Sequence, residues 1–537
     1  MRLIRVLLVV LLSLTAGCSQ SAVTNPQPEQ STSSPKTGGT ITLAMTEEPD
    51  TLDIQASSML ATEFVGAYLG GALLSEDEKT LQINPSLAKS YTVSEDGKTW
   101  TFTLRPGVLF HDGTPLTANS YKETFERALS KDFAQQGTGS SISSIESITA
   151  KDDSTLILQL KEPSAPLLSN LANAGWAQPL SLQAIEKAKE QYERNPIGVG
   201  PWKFESWKPA ESITLVRNPD FHWADASAQN QGAVRPDKLV IRFIKNSQTM
   251  LAALDSGSLD VATNVPAKDA KKYRSNEKYT VHEQLKSGLG LFIGLNLQRE
   301  VFTDIRVRKA LNLAVNKEAI VQASLQGEGV QAFGPIGEAM FGYDPSIKEY
   351  AYSYQPEEAG KLLEEAGWKL NAQGIRERDG SPLRVHLLSM ERFSQGAQLV
   401  QGMLKDVGIE VVIDALEPAA LIQTALSGDY DMTVMGYGAS DPDVLYQFLH
   451  SSQRQGGSNF YNIADDQIDK LLEKGRVTVN TDDRKQVYVD LQKRMVDQAY
   501  WVPIYTEKKF TVINKRVHDV RLHQLGYPVF QDSWVEE

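Results

Sequence analysis

Seven histidines, at positions 111, 222, 282, 386, 450, 518 and 523, are spread singly along 537 residues, and the cysteine content is Cys18 alone. No H-E-x-x-H pair occurs, and no second thiol could complete a zinc site with Cys18. No G-x-S-x-G elbow presents a nucleophilic serine. GLGLFIG (288–294) has the glycines of a dinucleotide fingerprint at the wrong spacing, and PIGVGPW (196–202) lacks the G-K-[ST] ending of a phosphate loop. Asp441 and Asp443 are paired carboxylates of a kind used in acid–base work, although a solvated loop is the plainer reading. Nothing demands an enzyme, a metal or a cofactor.

Cys18 has its own chemistry. Arg2 and Arg5 precede the apolar run VLLVVLL (6–12), and the small residues Ala16 and Gly17 lead into the cysteine. A charged start, a short apolar core and a small-residue exit describe a secretory signal over 1–17. The run is far shorter than the ~20 residues that span a bilayer. LTAGC resembles the lipobox of bacterial lipoproteins, with Thr15 where that pattern has a large aliphatic residue. Lipidation of Cys18 is therefore expected, followed over 18–37 by a Ser-, Thr-, Gln- and Pro-rich linker. Such a segment buries too little to offset its ordering entropy and reaches roughly 25 Å as a coil. The lone sulfur then carries a lipid, and no disulfide is available in an oxidising compartment.

The formal charge is −13, and loss of Arg2 and Arg5 with a leader makes the body more acidic still. With no basic cluster, nucleic-acid binding is not expected. About 500 residues exceed one hydrophobic core, which predicts two or three lobes. The first half reads as strands: Ile41 and Leu43 alternate with threonines, and Trp100, Phe102 and Leu104 alternate beyond an Asp96-Gly97 turn. Thr117 is placed to cap a helix carrying Tyr121, Phe125 and Leu129. After about residue 290, helix and strand alternate. A long helix is expected over 306–325, another over 356–368 with Pro at its start and Gly367 at its end, and helix–glycine–strand units pass through Gly408 and Gly428. AYWVPIYTEKKFTVIN (499–514) returns to strand pattern. The fold class expected is α/β.

Four segments in order carry a resemblance: EDGKTWTFTLRPGVLFHDGTPLTA (95–118), GVGPWKFESW with LVRNPDFHW (198–223), NLQREVFTDIRVRKALNLAVNKEAI (296–320) and SDPDVLYQFLHSS (440–452). With the lipobox and linker, they resemble the extracytoplasmic solute-binding proteins of ABC importers, family 5, whose members bind oligopeptides, dipeptides and nickel complexes. The resemblance implies a type II-like periplasmic binding fold, two jaws with an inserted domain and a hinge. Lobe I would take 38–75, 200–290 and 503–537, lobe II 76–199, and lobe III 291–502. The partners implied are a peptide ligand, a permease with cytoplasmic ATPase subunits, and a membrane reached through the lipid, either the outer face of a Gram-positive cell membrane or the periplasm. The protein itself would be a monomer.

The resemblance also implies a site. An extended peptide would pair with the backbone of MGYGAS (435–440), where Gly436 and Gly438 let another backbone approach. Asp441 or Asp443 would meet the peptide ammonium, because an enclosed charge requires a partner. Arg392 would meet the carboxylate, and Tyr437, Trp202 and Tyr461 would pack on side chains. Nickel binders of the family have a histidine in the loop matching 440–445. Asp443 stands there in this chain and the nearest histidine is His450, so the metal-chelate reading is the alternative and a lipoprotein hydrolase a third.

Overall fold

The computed structural model describes residues 34–78, 80–455 and 457–536; the leader, Cys18 and most of the linker lie outside them. Ile41 and Leu43 do alternate inward, on a strand Thr40–Met45 that pairs in parallel with Lys238–Phe243. These belong to a 12-stranded sheet within the compact unit Lys36–Glu537. Ten of its strands run in the order Glu410–Leu416, Arg384–Met390, Met432–Gly438, Gly288–Leu295, Trp501–Asn514, Val261–Ala262, Thr40–Met45, Lys238–Phe243, Ser212–Arg217 and Trp202–Lys208, and the other two, Tyr279–Leu285 and Gly329–Gln331, pair with Trp501–Asn514.

One strand joins the two halves. Trp501–Asn514 pairs through Trp501–Tyr505 with Leu291–Gly294, and through Lys508–Asn514 with Tyr279–Leu285. Tyr279–Leu285 itself continues through Lys286 and Ser287 into Gly288–Leu295. Two chain segments, near 285–290 and 505–509, therefore cross side by side between the halves. Gly288 has φ +134°, and a Cβ there would strike the Tyr437 carbonyl, so this crossing requires glycine.

Apolar side chains cluster on each side of the crossing. One core joins Ile41, Leu43, Trp202 and Leu215 to Ile513 and Phe530, from both ends of the chain. Another joins Leu291, Ile293 and Leu311 to Leu387, Val434 and Ile504. A third fills the antiparallel sheet of Ala88–Val93, Thr99–Leu104, Thr155–Leu160 and Ile145–Asp152, where Trp100 and Phe102 are fully buried. Each such side chain contributes roughly 1.5–3 kcal/mol on burial. Thr117 caps Ala118–Ala128 by accepting from the Ser120 N–H, and Tyr121 and Phe125 face this core.

The helix expected over 306–325 is two helices. Ile305–Ala314 stops at Val315, and Asn316 starts Lys317–Leu325 by accepting from the Ala319 N–H at 2.9 Å. The break lets Lys317 bury its ammonium against the Ala332 carbonyl at 3.1 Å. An asparagine inside an apolar-periodic run is a cap here.

Candidate functional site

Between the halves lies a cleft of about 260 Å³. One wall is Met45, Thr46, Glu47, Leu60, Ala61 and Phe64, the other is Gly438 and Ala439, and Lys286, Ser287 and Lys509 of the crossing segments form its back. Gln524 and Leu525 close one side. The edge beside it is built by a mismatch of strand lengths. Met432–Gly438 pairs along its whole length with Gly288–Leu295, but its parallel neighbour Arg384–Met390 pairs only at Leu387↔Met432 and Leu388↔Thr433. From Val434 onward the far edge has no strand partner among the described residues. Ser287 fixes the end of this strand by donating to the Ala439 carbonyl at 2.7 Å.

A smaller recess of about 30 Å³ continues along the same strand, lined by Arg392, Phe393, Gly436, Tyr437, Tyr505 and the shared Lys286 and Ser287. The Arg392 guanidinium lies 4.7 Å from the Phe393 ring centre and is otherwise exposed. Burial, reinforced by Glu507 and opposed by Arg392, pushes the Tyr505 hydroxyl up to about 12. Lys286 is held by Glu507 at 3.1 Å.

Of the residues expected from sequence, Gly436, Tyr437, Gly438 and Arg392 are brought together along this edge. Tyr437 is half exposed, with its ring edge-on to Phe448 at 5.2 Å. The aspartates are placed elsewhere. Asp441 accepts from both terminal nitrogens of Arg484 at 2.7 Å, and the two side chains are 10% and 6% exposed. Asp443 stands 3.0 Å from Arg476 Nε, at ion-pair distance without hydrogen-bond alignment. Its carboxyl is pushed up to about 6, first by burial, with Arg476 opposing. Neither aspartate lines the cleft or the recess.

Trp202 and Tyr461 pack into cores. Trp202 is 1% exposed, and Tyr461 is fully buried edge-on to Phe292 and Trp501, which stack at 3.9 Å. His450 stacks on Tyr446 at 4.2 Å and pairs with Glu473 at 3.3 Å. Among the described residues, no group of three or more His, Cys, Asp or Glu side chains could hold a metal ion.

Sequence reasoning missed the cleft lysines and Glu76. Glu76 ends the strand Leu74–Glu76 and lines a neighbouring cavity of about 150 Å³ with Trp202, Trp223, His523 and Tyr527. Segments distant in sequence meet nearby: Ala165 N–H donates to the Arg476 carbonyl at 2.7 Å, and Ser169 Oγ to Asp441 Oδ2 at 3.4 Å. Asp441 lies near enough to act on Glu76, whose carboxyl is pushed up to about 8 by burial and then by that charge.

Residues 82–459 match the bacterial extracellular solute-binding proteins, family 5. The chain is 28% identical to the oligopeptide-binding protein AppA of Bacillus subtilis, over 96% of this chain and 95% of that protein. It is 30% identical to the nickel-binding periplasmic protein of Escherichia coli, over 78% of this chain and 80% of that one. The structure of AppA in complex with a nonapeptide superposes with a TM-score of 0.71 at 26% identity, covering 94% of this chain and all of that one. The divided sheet, the cleft at its crossing and the family match agree on one identity: the chain belongs to the family 5 extracellular solute-binding proteins, substrate-binding components of ABC importers.

Proposed function

We propose that the protein captures short peptides outside the cytoplasmic membrane, anchored there through a lipid on Cys18, and delivers them to its permease. The observation that carries this reading is the unpartnered edge of Met435–Gly438, whose Gly438 end lines the cleft. Backbone pairing along such an edge accepts any side chain, as a peptide receptor needs. The volume argues for short ligands: about 260 Å³ lies just under the ~300–1,000 Å³ usual for small-molecule sites. Lobe I is assigned to 38–75, 200–290 and 503–537, lobe II to 76–199 and lobe III to 291–502, with the crossing strands as hinge.

A metal-chelate ligand is the second reading, favoured by the 30% identity to the nickel-binding protein. With Asp443 against Arg476 and His450 against Glu473, a metal would arrive already chelated and be held through its chelator. Native mass spectrometry of the protein as isolated, never refolded, separates the two. A bound mass matching short peptides supports the proposal, and a metal isotope pattern transfers it to the alternative.

A further inference from the structure

Each strand that crosses between the jaws brings a lysine into the cleft. Lys286 follows Tyr279–Leu285, and Lys509 pairs in register with Gln284 on the long strand. Their surroundings differ. Lys286 is neutralised by Glu507, whereas Lys509 makes no ion pair among the described residues and donates only a long bond, 3.4 Å, to the Leu525 carbonyl. The adjacent Lys508, on the opposite face of the strand, has Glu283 at 3.0 Å and Glu328 at 3.6 Å. Of the two adjacent lysines, Lys508 has carboxylates at ion-pair distance, whereas Lys509 has none among the described residues and feels Glu507 only at longer range.

Lys509 is half-buried, and an ammonium taken from water needs donors satisfied. Burial and then the neighbouring Lys286 hold its pKa below the usual lysine range, with Glu507 opposing. Glu47 is the acidic side chain of the cleft wall, and it is exposed. The acids nearest in sequence to the Gly438 end, Asp441 and Asp443, face Arg484 and Arg476 instead.

We infer that Lys509 receives a carboxylate of the ligand, so that the ligand's negative end lies at Gly438 and Ala439 beside the hinge. This rests on the cleft being the ligand site, as proposed above. It reverses the polarity implied by the resemblance, which puts an ammonium there. Lys509, lying on a crossing strand, would feel the ligand at the point about which the jaws turn.

The test is calorimetry on the full chain with the dipeptide alanyl-leucine and its C-terminal amide, using wild type, Lys509→Met and Lys509→Arg. Charge-assisted bonds of this kind predict that wild type prefers the free acid by roughly 10- to 100-fold. Lys509→Met should bind the two forms alike, and Lys509→Arg should keep the preference. Melting curves without ligand establish that each variant is folded. Equal binding of acid and amide by wild type, or an unchanged preference in Lys509→Met, overturns the assignment while leaving peptide capture standing. If neither form binds, the ligand carried by the protein as isolated decides. An acidic ligand retained by wild type and lost from Lys509→Met upholds the role of Lys509. A ligand without an acidic group, or one retained equally, overturns it.

Discussion

Arg484 holds Asp441 with two parallel hydrogen bonds of 2.7 Å, in a site where both side chains are nearly closed to solvent. Removing one member of such a pair leaves a buried charge without its partner, at a cost of about 3–5 kcal/mol. Asp441→Asn should therefore lower stability by that amount in urea unfolding. An exposed pair would cost at most ~1 kcal/mol, so the magnitude separates the two situations. Unchanged stability with lost ligand affinity would show that Asp441 serves the ligand.

Glu76 makes stability depend on pH. Its folded pKa, about 8, lies above the ordinary carboxyl value because of burial and then Asp441, with Glu78 and Asp77 adding and Gln524 opposing; Glu78 itself is paired with Arg521. Between the ordinary value and 8 the folded protein binds more protons at this group than the unfolded chain does. The contribution is fully present below the ordinary value and is lost as pH rises through the window. Glu76→Gln should flatten the fall in stability between about pH 5 and 8 and leave the variant more stable than wild type at pH 8. Parallel melting-temperature profiles would count against the assignment.

Gly438 offers a way to block the edge without disturbing the fold. A Cβ there would meet only Lys286 Cε and the Ser287 carbonyl, both at ordinary contact distance of 3.8 Å. Gly438→Val should leave stability within about 0.5 kcal/mol, as exposed substitutions usually do. Ligand affinity should fall by roughly tenfold or more if another backbone must lie against this strand, the equivalent of one lost hydrogen bond. Calorimetry beside a melting curve checks both, and unimpaired binding removes the strand from the site.

Cys18 should anchor the protein. Stable membrane attachment takes two acyl chains or an equivalent second signal, which a diacylated cysteine supplies. Cys18→Ser should yield a folded protein in the medium or periplasm that still binds ligand. Cell fractionation after a salt wash measures this, and a variant that stays with the membrane contradicts lipidation.

What could be read from the chain was local. Trp100, Phe102 and Leu104 announce a half-buried strand by alternation alone, and Gly408 and Gly428 mark helix ends by their type. Of the candidate site, the edge glycines Gly436 and Gly438 are legible because their backbone freedom is written in their identity. The partners of charged residues were not. Asp441 and Arg484 stand 43 positions apart, and only the fold brings them together. Lys508 and Lys509 are adjacent and chemically identical, and one meets two glutamates while the other meets the cleft. That difference is one step of strand register, which composition and periodicity do not fix. The run over 306–325 shows the same limit: Asn316 caps a second helix whose Lys317 is held by the Ala332 carbonyl, a contact made 15 positions away.

On the proposed function, a ligand is enclosed between jaws that turn about the crossing strands, with no covalent change to it. Ligand can shift that equilibrium only by binding the closed form better than the open one. Small-angle scattering of the ligand-stripped protein, repeated with the ligand recovered from the native preparation, measures this most directly. A smaller radius of gyration at saturation and a ligand recovered chemically intact are expected. An unchanged radius, or a cleaved ligand, would contradict it.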